Sequence, residues 1–565
     1  MNSLRRLFGA ALIAALGVLT IPESDAQDAA KTAPVSDPAA LAIDQQIISE
    51  IREHSDIMKN LQYISDEIGH RLTGSPSLKK ANDWTAAKMK EYGLTDVHLE
   101  AWEIPAGWER GTATLTLIDP TPGRQLTVAA MGWTPGTKGK ISGDVVIIDA
   151  KTKDDLNKFK GKLKNAIILT RPPTEVRPIT DLNYAKAGVP GKKDGPPSKE
   201  ATPKTESAKL DPPKKDDAKK DGPIPSRPGN FGEQMALRRE LGEFLRTEGA
   251  AVMLTDSGKP HGLLNMTGSW RGGDRASANE PLPTLFITHD HYALLYRLAS
   301  RKDAVTKAEV EITNKTIPGP LPVYNTVGEI KGSEKPEEIV VVGAHLDSWD
   351  LASGTTDNGT GSSVVLEAAR AIIKSGVKPK RTIRFVLFTG EEEGLYGSKA
   401  YVEKHKDEMA KTSCALVHDT GTGKVYGFGV QGRTSVLKIL DPMSESLKSL
   451  PGFKEHTLRS MGGTDHLSFE AVGVPGFACE QDSAEYRFTH HSQSDTFDKA
   501  MEPDLIEGAQ VMAVTAVRVA NLPDLLPRDK PEGKGGGRRR ENKEQPPAEK
   551  KSPAIEKKDA PPVQN

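Results

Sequence analysis

Three apolar runs, at residues 338–342 (EIVVV), 381–388 (RTIRFVLF) and 413–417 (SCALV), each lead directly into a cluster of metal-ligand residue types. The first enters GAHLDSWD with His345 and Asp347. The second enters TGEEEG with Glu391, Glu392 and Glu393, and the third HDTG with Asp419. Short β-rich runs of this kind read as buried strands. Residues 362–374 and 395–405 between them carry helical spacing, and 505–519 closes the series as a further helix. Strands alternating with helices specify an α/β sheet with helices on both faces. In such sheets sites form beyond the carboxyl ends of the strands. Three ligand clusters reaching one sheet edge point to a metal site there.

The residue types narrow the metal. Imidazole and carboxylate without thiolate suit zinc or a similar ion, with positions left for water and substrate. The chain has only two cysteines, Cys414 and Cys479, and no CxxC pair. Two ions ~3.5–4 Å apart share a ligand, and a carboxylate has two oxygens with which to bridge them. Asp357, in the turn TTDNGTG before a helix, is placed to do so, and THHSQSDT supplies a last imidazole from His490 or His491. Alone, three glutamates on a turn are a solvated face, and Asp-Asn-Gly is a turn signal. Their order after successive strands carries the inference. The working pair in the glutamate triplet is either Glu391 with Glu392 or Glu392 with Glu393.

HLDSWD, TTDNGTG, FTGEEEGLYGS, HDTG and HHSQSDT together resemble the motif series of the co-catalytic di-zinc exopeptidases of clan MH, which include leucyl aminopeptidases and glutamate carboxypeptidases. HLDSWD and the 12-residue step from His345 to Asp357 are most similar to the glutamate carboxypeptidase branch. The resemblance implies two zinc ions per chain. Asp357 resembles the bridging ligand, His345 and Asp419 the ligands of one ion, and Glu392 and His491 those of the other. Glu391 resembles the general base that takes a proton from the attacking water and hands it to the leaving amine. Asp347 resembles the carboxylate that orients the His345 imidazole. His490 then takes a position where relatives carry a tyrosine that contacts the transition state. His466, in a DHxxF-like stretch, and Tyr486 are candidate substrate contacts, and Trp349 packs beside the site. The implied fold is a zinc-exopeptidase-like domain with a mixed central sheet flanked by helices, plus an inserted β-rich protease-associated domain.

Residues 1–26 read as an export signal: Arg5-Arg6, a short apolar run, then Ser24-Asp25-Ala26. The route, general secretory or twin-arginine, stays open. A linker (27–44) precedes the first peptidase part (45–130), the insert (131–316) and the catalytic part (317–525). Residues 189–228 within the insert and the tail 526–565 are dominated by Lys, Asp, Glu, Pro and Gly, a disordered composition. His289 and His291, in the insert, read as the start of a surface helix. In an exported protein the two cysteines either pair or remain isolated core thiols. Lys plus Arg, at 76, balances 77 Asp plus Glu, which removes the electrostatic case for nucleic acid. No later stretch is long and apolar enough to span a bilayer. The expected activity is hydrolysis of terminal bonds in dipeptides or short peptides, as an aminopeptidase or a carboxypeptidase-like dipeptidase, with a homodimer by family analogy. The alternatives are a receptor-like module on an inactive peptidase fold, which predicts missing ligands, and a glutaminyl cyclase, which needs one zinc.

Overall fold

The computed structural model describes residues 37–176, 231–269, 281–482 and 486–529. The export signal, the stretch 189–228 and the tail beyond residue 529 lie outside these described residues.

The ligand-bearing runs are neighbours in one seven-stranded sheet. Its order is Thr95–Glu109, Lys315–Ile330, Arg381–Phe388, Lys335–His345, Thr412–Val417, Gly476–Gln481 and Val425–Gly429. The four strands from Arg381–Phe388 to Gly476–Gln481 run parallel. Antiparallel strands flank them on either side. The parallel strands are apolar without alternation because both faces are covered. Val340 and Val342 pack into a core with Ile51, Leu366 and Val514, from helices Pro38–His54, Thr360–Lys374 and Glu502–Ala520. Ile339 and Val341 pack on the opposite face with Tyr401 and Phe469.

Thr95–Glu109 and Lys315–Ile330 pair antiparallel along nearly their whole length, ending at Glu109 against Lys315. The chain leaves the sheet at the end of this stem and returns beside the point of departure. A second, eight-stranded sheet can therefore be inserted without displacing the first. Its order is Arg124–Leu126, Ala113–Asp119, Lys307–Ile312, Ile141–Ile147, Ile167–Leu169, Val252–Asp256, Thr284–Ile287 and Val128–Ala130. The strands between 113 and 130, assigned from sequence to the peptidase part, bond in this second sheet, so sheet membership changes near residue 110.

Both ends of the described chain differ from expectation. Residues 38–44, read as linker, begin the helix Pro38–His54, capped by Asp37. Its Asp44 is fully buried and accepts from Arg518 at 2.6 Å, a long-range pairing that local composition does not reveal. The tail is packed as far as residue 529. Leu526 is buried and donates to Ser413 Oγ at 3.1 Å, and Arg528 donates to the Met409 and Thr412 carbonyls at 2.7 Å. Cys414 and Cys479 are buried free thiols. Ala415 pairs with Gly476, which offsets the two cysteines by about four residues, or ~13 Å along the strands, too far for a disulfide.

His456 braces the edge strand. The Phe428 N–H donates to its Nδ1 at 3.1 Å, leaving Nε2 as the proton-bearing nitrogen 2.9 Å from Ser444 Oγ. Burial lowers its pKa from 6.5 to about 4. The folded state thus binds this proton less readily than the unfolded state. The stabilisation is complete above pH 6.5 and is lost as pH falls towards 4, by up to about 3 kcal/mol. Urea titrations should show wild type losing more stability than His456→Gln between pH 7 and pH 5; equal losses would refute the assignment.

Candidate metal centre

Each strand end delivers its ligand through a different local device. His345 closes its own strand, and its Nδ1 lies 3.0 Å from the Asp347 carbonyl. With that nitrogen engaged, Nε2 is directed at carboxylates. The glutamates follow Gly390, which has a φ of +72°, and where a Cβ would sit 2.6 Å from the Trp102 ring. Asp357 occupies an irregular turn held from the 486–495 loop. Asp495 accepts the Thr356 and Asp357 N–H groups at 2.6 and 3.1 Å, and Asn358 donates to the His418 carbonyl at 2.9 Å. Beneath this turn the fully buried Arg71 donates to the carbonyls of Gly69, Leu346, Ser353 and Gly354 at 2.6–2.9 Å. It ties the GHRLTGS segment to both ligand loops.

The ligand atoms form two groups that meet at Asp357. His345 Nε2 lies 3.2 Å from Asp419 Oδ1 and 3.3 Å from Asp357 Oδ1. His491 Nε2 lies 2.9 Å from Glu392 Oε2 and 3.5 Å from Asp357 Oδ2. Glu391 joins His345 and Asp419, with ligand atoms within 4.8 Å of one another. Burial raises Glu391, Glu392 and Glu393 well above the ordinary carboxylate range, and neighbouring carboxylates add to it. Burial also opposes the charged form of Asp357, but His345 and His491 outweigh it and hold its pKa low. Asp357 Oδ2 and Glu392 Oε1 are buried without a hydrogen-bond partner. Unpaired buried carboxylate oxygens facing imidazole nitrogens are costly unless a cation lies between them. The donor set, nitrogen and oxygen without sulfur, is one that zinc accepts.

Several sequence readings are sharpened by the geometry. Of the glutamates, Glu391 and Glu392 face the histidines. Glu393 is turned under the loop, its pKa raised by burial first and by Asp347 next. His491 is closer to the carboxylates than His490, whose side chain is 45 % exposed, stacks on the His491 ring at 3.7 Å and stays 4.0 Å from Asp357. The Asp347 carboxylate is 3.6 Å from His345 Nδ1, farther than its own carbonyl. It accepts instead from Thr73 Oγ1 at 3.3 Å and faces the N–H groups of Glu391 and Glu392 at 3.4 and 3.3 Å. It positions the glutamate turn more than the imidazole, because the two loops cross there.

His466 is fully buried and contacts Gln431 Nε2 at 2.6 Å and the Met461 carbonyl at 3.3 Å. These contacts make it a brace of its own loop, not a residue of the cleft. Tyr486 lies against Gly421, with its ring 5.0 Å from His490. His289 and His291 start the helix His289–Ala299 and are engaged by Asp256 and the Thr127 N–H. Trp349 stands edge-on to His491 at 6.1 Å. With Met266, Leu351 and Ala352 it lines the cleft that opens onto Asp357, Glu392 and His491.

Sequence reasoning passed over Asp465, which is fully buried with its pKa pushed up by burial to about 7. Its signal was its place beside the DHxxF-like histidine. Lys259, which reaches the His490 carbonyl from the insert, left no sequence signal.

Residues 325–516 match the model of peptidase family M28. Carboxypeptidase Q of Mus musculus is 29 % identical over 472 residues, covering 83 % of this chain and 87 % of that protein. The human carboxypeptidase Q is 27 % identical over 472 residues, covering 83 % and 86 %. Among solved structures, a peptidase M28 precursor from Shewanella amazonensis SB2B aligns with a TM-score of 0.67 at 26 % identity, covering 87 % of this chain and 99 % of that one. An aminopeptidase from Aneurinibacillus sp. strain AM-1 shares the fold, with a TM-score of 0.54 at 21 % identity, covering 86 % and 98 %. The match spans every strand end and loop that brings a candidate ligand to the site, so residues 325–516 are similar to the peptidase M28 domain, and the chain is a zinc-dependent metallopeptidase.

Proposed function

We propose that this peptidase is an exported two-zinc exopeptidase acting on dipeptides or short peptides. The observation that carries the reading is the place of Asp357, whose two oxygens lie 3.3 Å from His345 Nε2 and 3.5 Å from His491 Nε2 respectively. In this reading Asp357 is the shared ligand, His345 and Asp419 complete one ion's set, and Glu392 and His491 complete the other's. A zinc ion held by these residues would supply Lewis acidity towards the scissile carbonyl and the attacking water. Glu391 takes the proton from the attacking water and delivers it to the leaving amine. Asp347 holds the glutamate turn in register. His490 contacts the substrate carbonyl, and Tyr486, its ring 5.0 Å from that of His490, is a contact for a substrate carboxylate. The peptidase part comprises the segments on either side of the inserted sheet, which restricts access to the cleft. Export rests on the Arg5-Arg6 start, the apolar run and cleavage after Ala26. A homodimer belongs to the same proposal, by family analogy.

Among the described residues no helix is long and apolar enough to cross a membrane. The test is elemental analysis of the mature, tag-free protein, paired with product analysis on a dipeptide panel. About two zinc ions per chain and release of free amino acids are expected. Zinc near zero after reconstitution, with no hydrolysis, would sink the reading in favour of a receptor-like module. Ammonia release without hydrolysis would favour a cyclase.

A further inference from the structure

The inserted unit meets the metal centre along residues 259–268. The Met266 N–H donates to the His491 carbonyl at 2.8 Å, the Leu264 N–H donates to Gln493 Oε1 at 2.8 Å, and Asn265 forms a β-bridge with Ser492. These contacts clamp the segment onto the loop that carries His491. They also bring Lys259 to the same loop, where its Nζ donates to the His490 carbonyl at 2.8 Å and lies 3.5 Å from the Arg487 carbonyl.

Those contacts are an unusual set for a partly buried ammonium. Its hydrogen bonds go to carbonyl oxygens and not to a carboxylate. A lysine carries three donors, and one good acceptor at 2.8 Å with a second at 3.5 Å leaves donor capacity unused. The position is close enough to the centre for the Lys259 charge to act on Asp357, His490 and His491. Arg71, the other cation beneath the ligand loops, is wholly buried, with its donors engaged by backbone carbonyls. Among the described residues, Lys259 is thus a cation beside the His491 loop with donor capacity to spare, and the inserted unit supplies it.

We propose that Lys259 recognises the free terminal carboxylate of the substrate, so that the enzyme favours peptides whose C-terminus lies beside the scissile bond, dipeptides above all. This rests on the peptidase reading above and deepens it. In a dipeptide the carboxylate is about one residue step, ~3.5 Å, from the bond to be cut. So short a span suits an ammonium held on the His490 carbonyl, one residue from the candidate ligand His491.

The test compares a dipeptide with its C-terminal amide in zinc-loaded wild type, Lys259→Met and Lys259→Arg. A charge-assisted contact of this kind corresponds to a preference of about 10- to 100-fold in kcat/KM for the acid over the amide. The preference is expected in wild type, chiefly through KM. It should collapse towards one in Lys259→Met and largely persist in Lys259→Arg. Both substrates are measured on one preparation, so the ratio is independent of the folded fraction. An acid-to-amide ratio unchanged in Lys259→Met, or near one in wild type that still hydrolyses both, would overturn carboxylate recognition and leave the peptidase reading standing. Wild type that binds zinc but hydrolyses neither peptide would overturn both.

Discussion

Replacing Glu391 with glutamine is expected to lower kcat by about 100- to 10,000-fold while zinc content stays at the wild-type level. Glutamine keeps the size and hydrogen-bonding reach of the side chain but has no oxygen basic enough to accept a proton. If Glu391 moves the proton between the attacking water and the leaving amine, that single loss disables both transfers, and KM should change little. The neighbouring residue provides the contrast. Glu392 Oε2 lies 2.9 Å from His491 Nε2, so Glu392→Gln should reduce bound zinc as well as rate. Steady-state kinetics with elemental analysis on the two variants separates the roles. The assignment fails if Glu391→Gln stays within tenfold of wild type, or if it is the Glu391 variant that sheds zinc.

Asp357→Asn should have the widest effect of any ligand substitution. Its two oxygens serve two different imidazoles, and an amide in its place removes both the negative charge and one acceptor. Zinc is expected to fall from about two ions to one or fewer, with kcat/KM down by on the order of 1,000-fold or more. Asp419→Asn is the control, because Asp419 lies with His345 and Glu391 in one of the two groups and should affect one ion. Stability offers an independent readout. Bound zinc stabilises the folded state by mass action, so the Tm difference between zinc-loaded and chelator-treated protein should shrink more in Asp357→Asn than in Asp419→Asn. Equal shrinkage in the two variants, with zinc content also equal, would remove Asp357 from the bridging role.

The fold was legible where burial is two-sided. The runs at 338–342, 381–388 and 413–417 are strands whose two faces are both covered, so apolar residues predominate without alternation, and the buried Arg381 and Arg384 are held by Glu338 and Glu329. The long strands Thr95–Glu109 and Lys315–Ile330 escaped notice. They lie at or next to the sheet's edge, and much of their length is exposed, so neither a continuous run nor an alternation appears. Lys315–Ile330 also contains prolines, which usually argue against a strand. The insert boundary was misplaced for the same reason. The short strands between 113 and 130 look alike on either side of it, and only their hydrogen-bond partners reveal the sheet to which they belong.

The sequence by itself determined the α/β class, the sheet edge that gathers the candidate site and the residue types offered there as metal ligands. Metal chemistry restricts residue type, and strand order restricts where such residues emerge. Only the tertiary structure decided how those residues share the work. It set the two oxygens of Asp357 against two different imidazoles, gave the Asp347 carboxylate to the glutamate turn, and turned His466 away from the cleft. It also placed Arg71 under the ligand loops and brought Lys259 from another sheet to the rim. Each of these depends on distances of a few ångströms between segments up to hundreds of residues apart. Residue type and local spacing limit which contacts can form, but the packing of the elements selects the ones that do.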